Sequence, residues 1–158
     1  DVNIHQKPSS TELANIAIGV AQNAKKLGFI PKVAILSYSN FGNPSGSNTK
    51  TINECLKILE DKKVSFEFDG EMTAEVALDY NLIKENYPFC KLSGPANVLI
   101  MPDLYSANIS FKLLQKMENL SVIGPIMIGG NNPFQIVQMG ASVSDIVNSA
   151  CISTYNSL

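Results

Sequence analysis

The chain has 158 residues, 45% of them hydrophobic and 16% charged, with a formal net charge of −2. That is one domain's worth of sequence or a large part of a bigger one, and it is apolar enough to bury a core, which excludes a disordered chain. The slightly acidic balance lacks the footprint of a nucleic-acid binder or of a protein held to an anionic membrane. No apolar run approaches the about 20 residues needed to span a bilayer.

All 12 basic residues are lysines, so a bidentate guanidinium grip on a phosphoryl group cannot be built from this chain. The opening DVNIHQKPSS is polar, has no initiator methionine and no hydrophobic signal region, and reads as the continuation of a longer protein. Cys55, Cys90 and Cys151 are far apart and odd in number, and His5 is the only imidazole. This pattern offers no zinc site and is expected of free thiols in a reducing cytoplasm.

In chain order, Val2 to His5 reads as the tail of a strand. Ser9 and Glu12 stand at capping-box spacing, and Leu13, Ile16, Ala17, Val20, Ala21 and Ala24 form an apolar stripe of helical period that Gly28 and Pro31 end. Lys32 to Tyr38 is a near-continuous apolar run, as in a parallel strand covered on both faces. Ser39 to Asn48 is a loop, and a helix is expected from about Thr51 to Asp61. Val64, Phe66 and Phe68 alternate as a short strand that ends at a turn on Asp69-Gly70. Thr73 caps a short helical piece, and a second carries Tyr80 to Glu85. Asn97 to Met101 is another buried strand, Ala107 to Met117 a helix, and Ser121 to Ile128 the last main strand. Ser142 caps a final helix with Asp145 at its third position.

Strands alternating with helices imply an α/β fold with a largely parallel sheet and right-handed crossovers. Ligands in such sheets sit beyond the carboxyl ends of the strands. The loops that qualify are Ser39 to Thr49, Asp69 to Met72, Pro102 to Ala107 and Gly129 to Pro133. The first has neither phosphate-loop nor dinucleotide-fingerprint spacing, and reads equally as an anion cradle of backbone amides or as a plain connector. Asp69 and Glu71 are either paired acids for proton transfer or turn and helix-start chemistry. Asp103 either caps the helix containing Asn108 or contacts a ligand, and Asp145 fits an N-terminal carboxylate. Tyr38 and Tyr105 flank ligand-side loops and are candidates to lie against a ring or an extended arm.

Several segments together resemble the phosphate acetyl/butyryltransferase family. They are LSYSNFG, FDGEMTAEVAL, GPANVLIMPDLYSANISFKLLQ and IGPIMIGGNNPFQIVQMGASVSDIVN, collinear over nearly all of the chain. SNFG and Gln138 are closer to the phosphotransacetylase-like C-terminal domain of bacterial NADP-dependent malic enzymes. The resemblance implies a three-layer αβα arrangement, similar to isocitrate and isopropylmalate dehydrogenases, with two lobes and a cleft between them. Residues 1–158 would then be a fragment of such a domain, supplying most of one lobe and part of the other. Carried over by position, the transferases' reactive Ser-Arg falls on Gln138 and Met139, both substituted, while their aspartate falls on Asp145, retained. Malic enzymes too commonly hold arginine where this chain has Met139.

The resemblance further implies a regulatory unit responding to acetyl-CoA or related metabolites and expected in the cytoplasm. Its ligand contacts would come from Ser39, Asn40, Gly42, Asp103, Asn108, Gly129, Asn131, Gln138 and Asp145. The expected cleft is walled by Ser37 to Ser45, Pro102 to Asn108 and Gly129 to Asp145. The parent would convert malate to pyruvate, with NADP and a divalent metal held only in a catalytic part ahead of this domain, and would form a dimer or higher homo-oligomer. A truncated phosphate acetyltransferase and an oligomerisation module without ligand are the alternatives.

Overall fold

The computed structural model describes residues 1–44, 49–130 and 132–156. Helix α1 (Ser10–Lys26) begins where the sequence places its cap: the Glu12 amide donates to the Ser9 hydroxyl at 3.3 Å, and the Ser9 amide donates to the Glu12 carboxylate at 2.8 Å. Leu13, Ala14, Ala17 and Ala21 form its buried stripe. Strand β1 (Lys32–Leu36) follows, then α2 (Thr49–Asp61), β2 (Glu67–Met72), α3 (Ala74–Leu78) and α4 (Tyr80–Asn86). Strand β3 (Val98–Ile100), α5 (Leu104–Leu114) and α6 (Val143–Asn156) complete the described elements.

The strands form one parallel sheet in the order β2-β1-β3. Because side chains alternate across a strand, β1 feeds two cores. Val33 and Ile35 pack with α1, α2 and β3 through Leu13, Ile52, Cys55, Leu59 and Ile100. Ala34 and Leu36 face the other side, against Met72, Val76, Ala77, Ile83, Leu92 and Ala96. Each fully buried Leu, Ile or Val stabilises by about 1.5–3 kcal/mol, so a sheet sandwiched between helices is the source of this region's order. The fold is α/β with a parallel sheet, as expected.

Three local expectations are corrected. Val2 to His5 is not a strand: the Asp1 carboxylate accepts from the amides of Asn3, Ile4 and His5 at 2.8–2.9 Å and winds the segment into a turn. Strand β2 does not start at Val64 or end at Asp69-Gly70 but runs from Glu67 to Met72 through a bulge, leaving Val64 and Phe66 outside the ladder, with Ile35 opposite Gly70 and Leu36 opposite Met72. Gly70 has φ +155, and a Cβ there would lie 2.7 Å from the Ile35 carbonyl oxygen, so only glycine fits. Ser121 to Ile128 carries no strand ladder; the Gln135 side chain instead bonds both the amide and the carbonyl of Met127, at 2.8 and 3.2 Å.

Among the described residues, none beyond Ala107 is buried. Helix α6 is well capped, with the Ser142 and Asp145 pair bonded in both directions, yet it buries nothing.

Candidate functional site

The loop leaving β1 is closed on itself and on the end of β2. Ser39 is fully buried, and its hydroxyl donates to Glu71 in a short hydrogen bond, with the Ser37 hydroxyl 3.2 Å away. The Asn40 side-chain oxygen accepts from the Thr73 amide at 2.7 Å, and the Phe41 amide donates to the Glu71 carbonyl at 2.7 Å. The Phe41 ring then packs tilted against Tyr87 and edge-on against Phe89, at 5.2 and 4.9 Å between centroids. Gly42 is exposed at φ +90 with open space beside it. The two acids of this corner hold loops in place. Asp69 accepts from the amides of Gly70 and Lys91, while Glu71 is 1% exposed and keeps one carboxylate oxygen without a partner.

Asp103 caps α5, accepting from the Ser106 amide and hydroxyl at 2.8 Å each. Asn108 donates to the Val2 carbonyl at 3.0 Å, tying α5 to the N-terminal segment. Gly129 sits at φ +85 in a surface cavity between α1 and residues 127–130 and 132–134. Asn131 and residues 45–48 lie outside the described residues.

Gln138, Met139, Gly140 and Asp145 come together. They line an open cavity of about 170 Å³ with Gln115, Gly124 and Pro125 among the facing residues. Gln138 accepts from the Lys112 ammonium at 3.4 Å, and Met139 is fully exposed. The Asp145 carboxylate accepts from the Ser142 hydroxyl at 2.7 Å and amide at 2.9 Å, and these bonds hold its pKa below the usual carboxylate value. The cavity thus presents the side-chain amides of Gln115, Gln138 and Asn148, the Ser149 hydroxyl, one capping carboxylate, one nearby ammonium and a thioether. Among the described residues the Ser149 hydroxyl is hydrogen-bonded to no base, and no group of three or more His, Cys, Asp or Glu side chains converges.

Of the expected cleft, residues 102–105 and residues 136–141 line different cavities. Residues 102–105 line a second one, of about 250 Å³, together with Gln6, Lys7, Pro8, Leu13, Thr51 and Ile52. Gln115, Lys7 and Thr51 were not legible as site residues, because nothing in their local pattern distinguishes them from ordinary solvated positions. Only the packing of α1, α2 and α5 brings Lys7 and Thr51 together.

The chain belongs to the phosphate acetyl/butaryl transferase family, whose model matches residues 1–154. It is 50% identical over 156 residues to an NADP-dependent malic enzyme of Rhizobium meliloti, an alignment covering 99% of this chain and 20% of that protein. It is 39% identical over 153 residues to a phosphate acetyltransferase of Helicobacter pylori, covering 97% of this chain and 30% of that protein. A phosphotransacetylase structure from Streptococcus pyogenes superposes with a TM-score of 0.92 at 31% identity, covering 99% of this chain and 48% of the other. The chain therefore spans about a fifth of that malic enzyme and about half of that solved transacetylase. No helix among the described residues is long and apolar enough to cross a membrane.

Proposed function

We propose that this chain is the C-terminal phosphotransacetylase-like domain of a bacterial NADP-dependent malic enzyme, and that it senses acetyl-CoA or a related metabolite without catalysing acyl transfer. One observation carries the reading. The cavity around Gln138, Met139 and Asp145 keeps the family's cap and glycine but offers a thioether where a guanidinium would neutralise developing charge. Losing one such electrostatic stabiliser costs about 10²–10³ in rate. The greater identity to a malic enzyme than to the transferases supports the same side.

In this reading malate oxidation to pyruvate, with NADP and a divalent metal, belongs to a catalytic part of the same polypeptide. The apolar face beyond Ala107, with Leu113, Met117, Ile123, Val143 and Ile146 exposed, packs against the rest of the paired lobe. The domain also carries the self-association of a cytoplasmic homo-oligomer. The transferase alternative predicts acetyl phosphate from acetyl-CoA and phosphate.

The deciding experiment assays the intact polypeptide for malate-dependent NADP reduction with and without acetyl-CoA, and for acetyl phosphate formation. Reduction that responds to acetyl-CoA, without acetyl phosphate, is the expected outcome. Acetyl phosphate formation overturns it. Met139→Arg should tighten acetyl-CoA binding about tenfold, the gain of one charge-assisted contact. Equal affinity of the two forms removes this cavity from consideration.

A further inference from the structure

The core on the Ala34 and Leu36 side of the sheet takes in Leu92 from residues 90–95, a stretch that forms no helix or strand. Its side chains nevertheless alternate as a strand's would: Leu92 and Gly94 are buried, while Lys91, Ser93 and Pro95 are exposed. Among the described residues, no main-chain bond joins residues 91–95 to another element. Carboxylates of β2 take that place. Glu67 accepts from the Ser93 amide at 2.8 Å and from its hydroxyl at 2.8 and 2.9 Å, and Asp69 accepts from the Lys91 amide at 2.7 Å. Glu67 with Ser93 and Asp69 with Lys91 run antiparallel, so two side chains stand in for the carbonyls of a ladder. The Lys91 ammonium adds a bond to Glu60 on α2 at 2.5 Å. Further along, the anchorage is main-chain: the Ala96 amide donates to the Ala77 carbonyl at 2.8 Å, and the Asn97 amide to the Lys32 carbonyl at 3.1 Å. Phe41, from the loop leaving β1, rests on the same core and packs its ring against Tyr87 and Phe89, which lead into this stretch.

We propose that residues 90–95 are a strap that lifts while the sheet stays folded, and that its lifting loosens residues 37–44 through the rings of Phe41, Tyr87 and Phe89. The kind of fastening makes the strap separable. A ladder strand leaves only by breaking its neighbour's backbone bonds, whereas these side-chain bonds sit at exposed residues and break without disturbing β2. Leu92 is the one large apolar side chain the strap buries, so lifting gives up far less burial than unfolding the sheet. The Ser93 amide, the first cause, holds the Glu67 carboxyl below its ordinary value, which marks that bond as charge-assisted. Strand β2 serves both loops: Glu67 and Asp69 hold the strap, and the Glu71 carbonyl accepts from the Phe41 amide at 2.7 Å. Coupling of this kind is reciprocal, so whatever holds residues 37–44 in place also holds the strap down. The device needs no occupant in either cavity and does not rest on the function proposed above.

Hydrogen exchange of the intact polypeptide, read by mass spectrometry on fragments covering residues 33–35, 37–42 and 91–94, tests the device. Glu67→Ala should speed exchange at residues 91–94 about tenfold, the loss of a charge-assisted bond. Residues 37–42 should follow several-fold, and residues 33–35 of β1 should stay unchanged. Ser93→Ala removes only the hydroxyl part of the same fastening and should act in the same direction, less strongly. In a Phe41→Ala background, Glu67→Ala should still free the strap but no longer change residues 37–42. Exchange at residues 91–94 that neither Glu67→Ala nor Ser93→Ala moves overturns the strap. So does an equal rise at residues 33–35, because the sheet would then open with it. A strap that lifts with no change at residues 37–42, or whose effect on them survives Phe41→Ala, overturns the coupling.

Discussion

The chain up to Ala107 and the chain beyond it obey the same local rules and reach different ends. Both contain capped helices: Ser9 with Glu12 opens α1, and Ser142 with Asp145 opens α6, in the same reciprocal geometry. Yet α1 buries four residues and α6 none. Capping and turn chemistry are satisfied within a few residues, whereas burial needs a partner surface. Up to Ala107 the parallel sheet supplies it on both faces. Beyond it, Leu113, Met117, Ile136, Val143, Ile146 and Val147 stay exposed, more apolar surface than a soluble monomer usually leaves open.

The largest test of this contrast is thiol chemistry. Cys55 is fully buried, and burial pushes its thiol up to about 12, whereas Cys151 on α6 is exposed. The thiolate is the reactive form, so a rise from 9.0 to about 12 lowers its population about a thousandfold. Alkylation at pH 8 should label Cys151 at once and Cys55 only through unfolding. In a longer form of the protein that covers α6, Cys151 should slow. Protection of Cys151 in this chain alone would mean that the α6 face is packed after all.

Core substitutions come next. Leu59→Ala, at a fully buried position on α2, should cost about 2–5 kcal/mol, while Val147→Ala on the half-exposed face of α6 should stay within about 0.5 kcal/mol. Urea denaturation reads both, and similar losses would erase the difference between the regions. Glycines repeat the contrast on a smaller scale. Gly70→Ala and Gly140→Ala both place a side chain at positive φ, about 1–2 kcal/mol of strain. At Gly70 the new Cβ also meets backbone at 2.7 Å, and at Gly140 it meets nothing within 4 Å. Gly70→Ala should therefore be clearly the worse.

The sequence was legible where its signal is local and periodic. The α1 stripe and cap, the apolar run of β1 and the Thr73 and Ser142 caps all stand where the pattern puts them, and Asp103, left open between cap and ligand contact, caps α5. It misled where a side chain took over a backbone's bonds, as Asp1 does for residues 3–5 and Gln135 does for Met127. At the candidate site the family resemblance named Gln138, Met139 and Asp145, and the three line one cavity. It did not reveal that Ser39 is buried against Glu71, because a serine in a Gly/Asn/Pro loop has no local mark of burial. Nor could spacing join Lys7 to Thr51 and Tyr105, which share one cavity lining only through packing.

The smallest expected effect concerns what the two regions share. Glu12 and Asp145 both have pKa values held below the ordinary range, Glu12 by the Ser9 amide and then its hydroxyl, Asp145 by the Ser142 hydroxyl and then its amide. A depressed folded-state value means that the unfolded chain binds more protons at acid pH. The stabilisation is therefore complete above the unfolded carboxylate values of about 4, and is lost as pH falls through the lower folded values. Glu67, lowered first by the Ser93 amide, and Glu60, lowered first by its bond to Lys91 at 2.5 Å, act in the same direction. Denaturation midpoints followed from pH 7 to pH 3 should stay level and then drop. Glu12→Gln should flatten that drop by weakening a cap on which the buried stripe of α1 depends. Asp145→Asn should leave the global midpoint almost unmoved, because α6 contributes no buried residue and its tie to α1 among the described residues is the Tyr155 hydroxyl's bond to the Lys26 carbonyl, while lowering local helix content at neutral pH. A global midpoint that follows Asp145 as closely as Glu12 would show that α6 belongs to the same cooperative unit as the sheet.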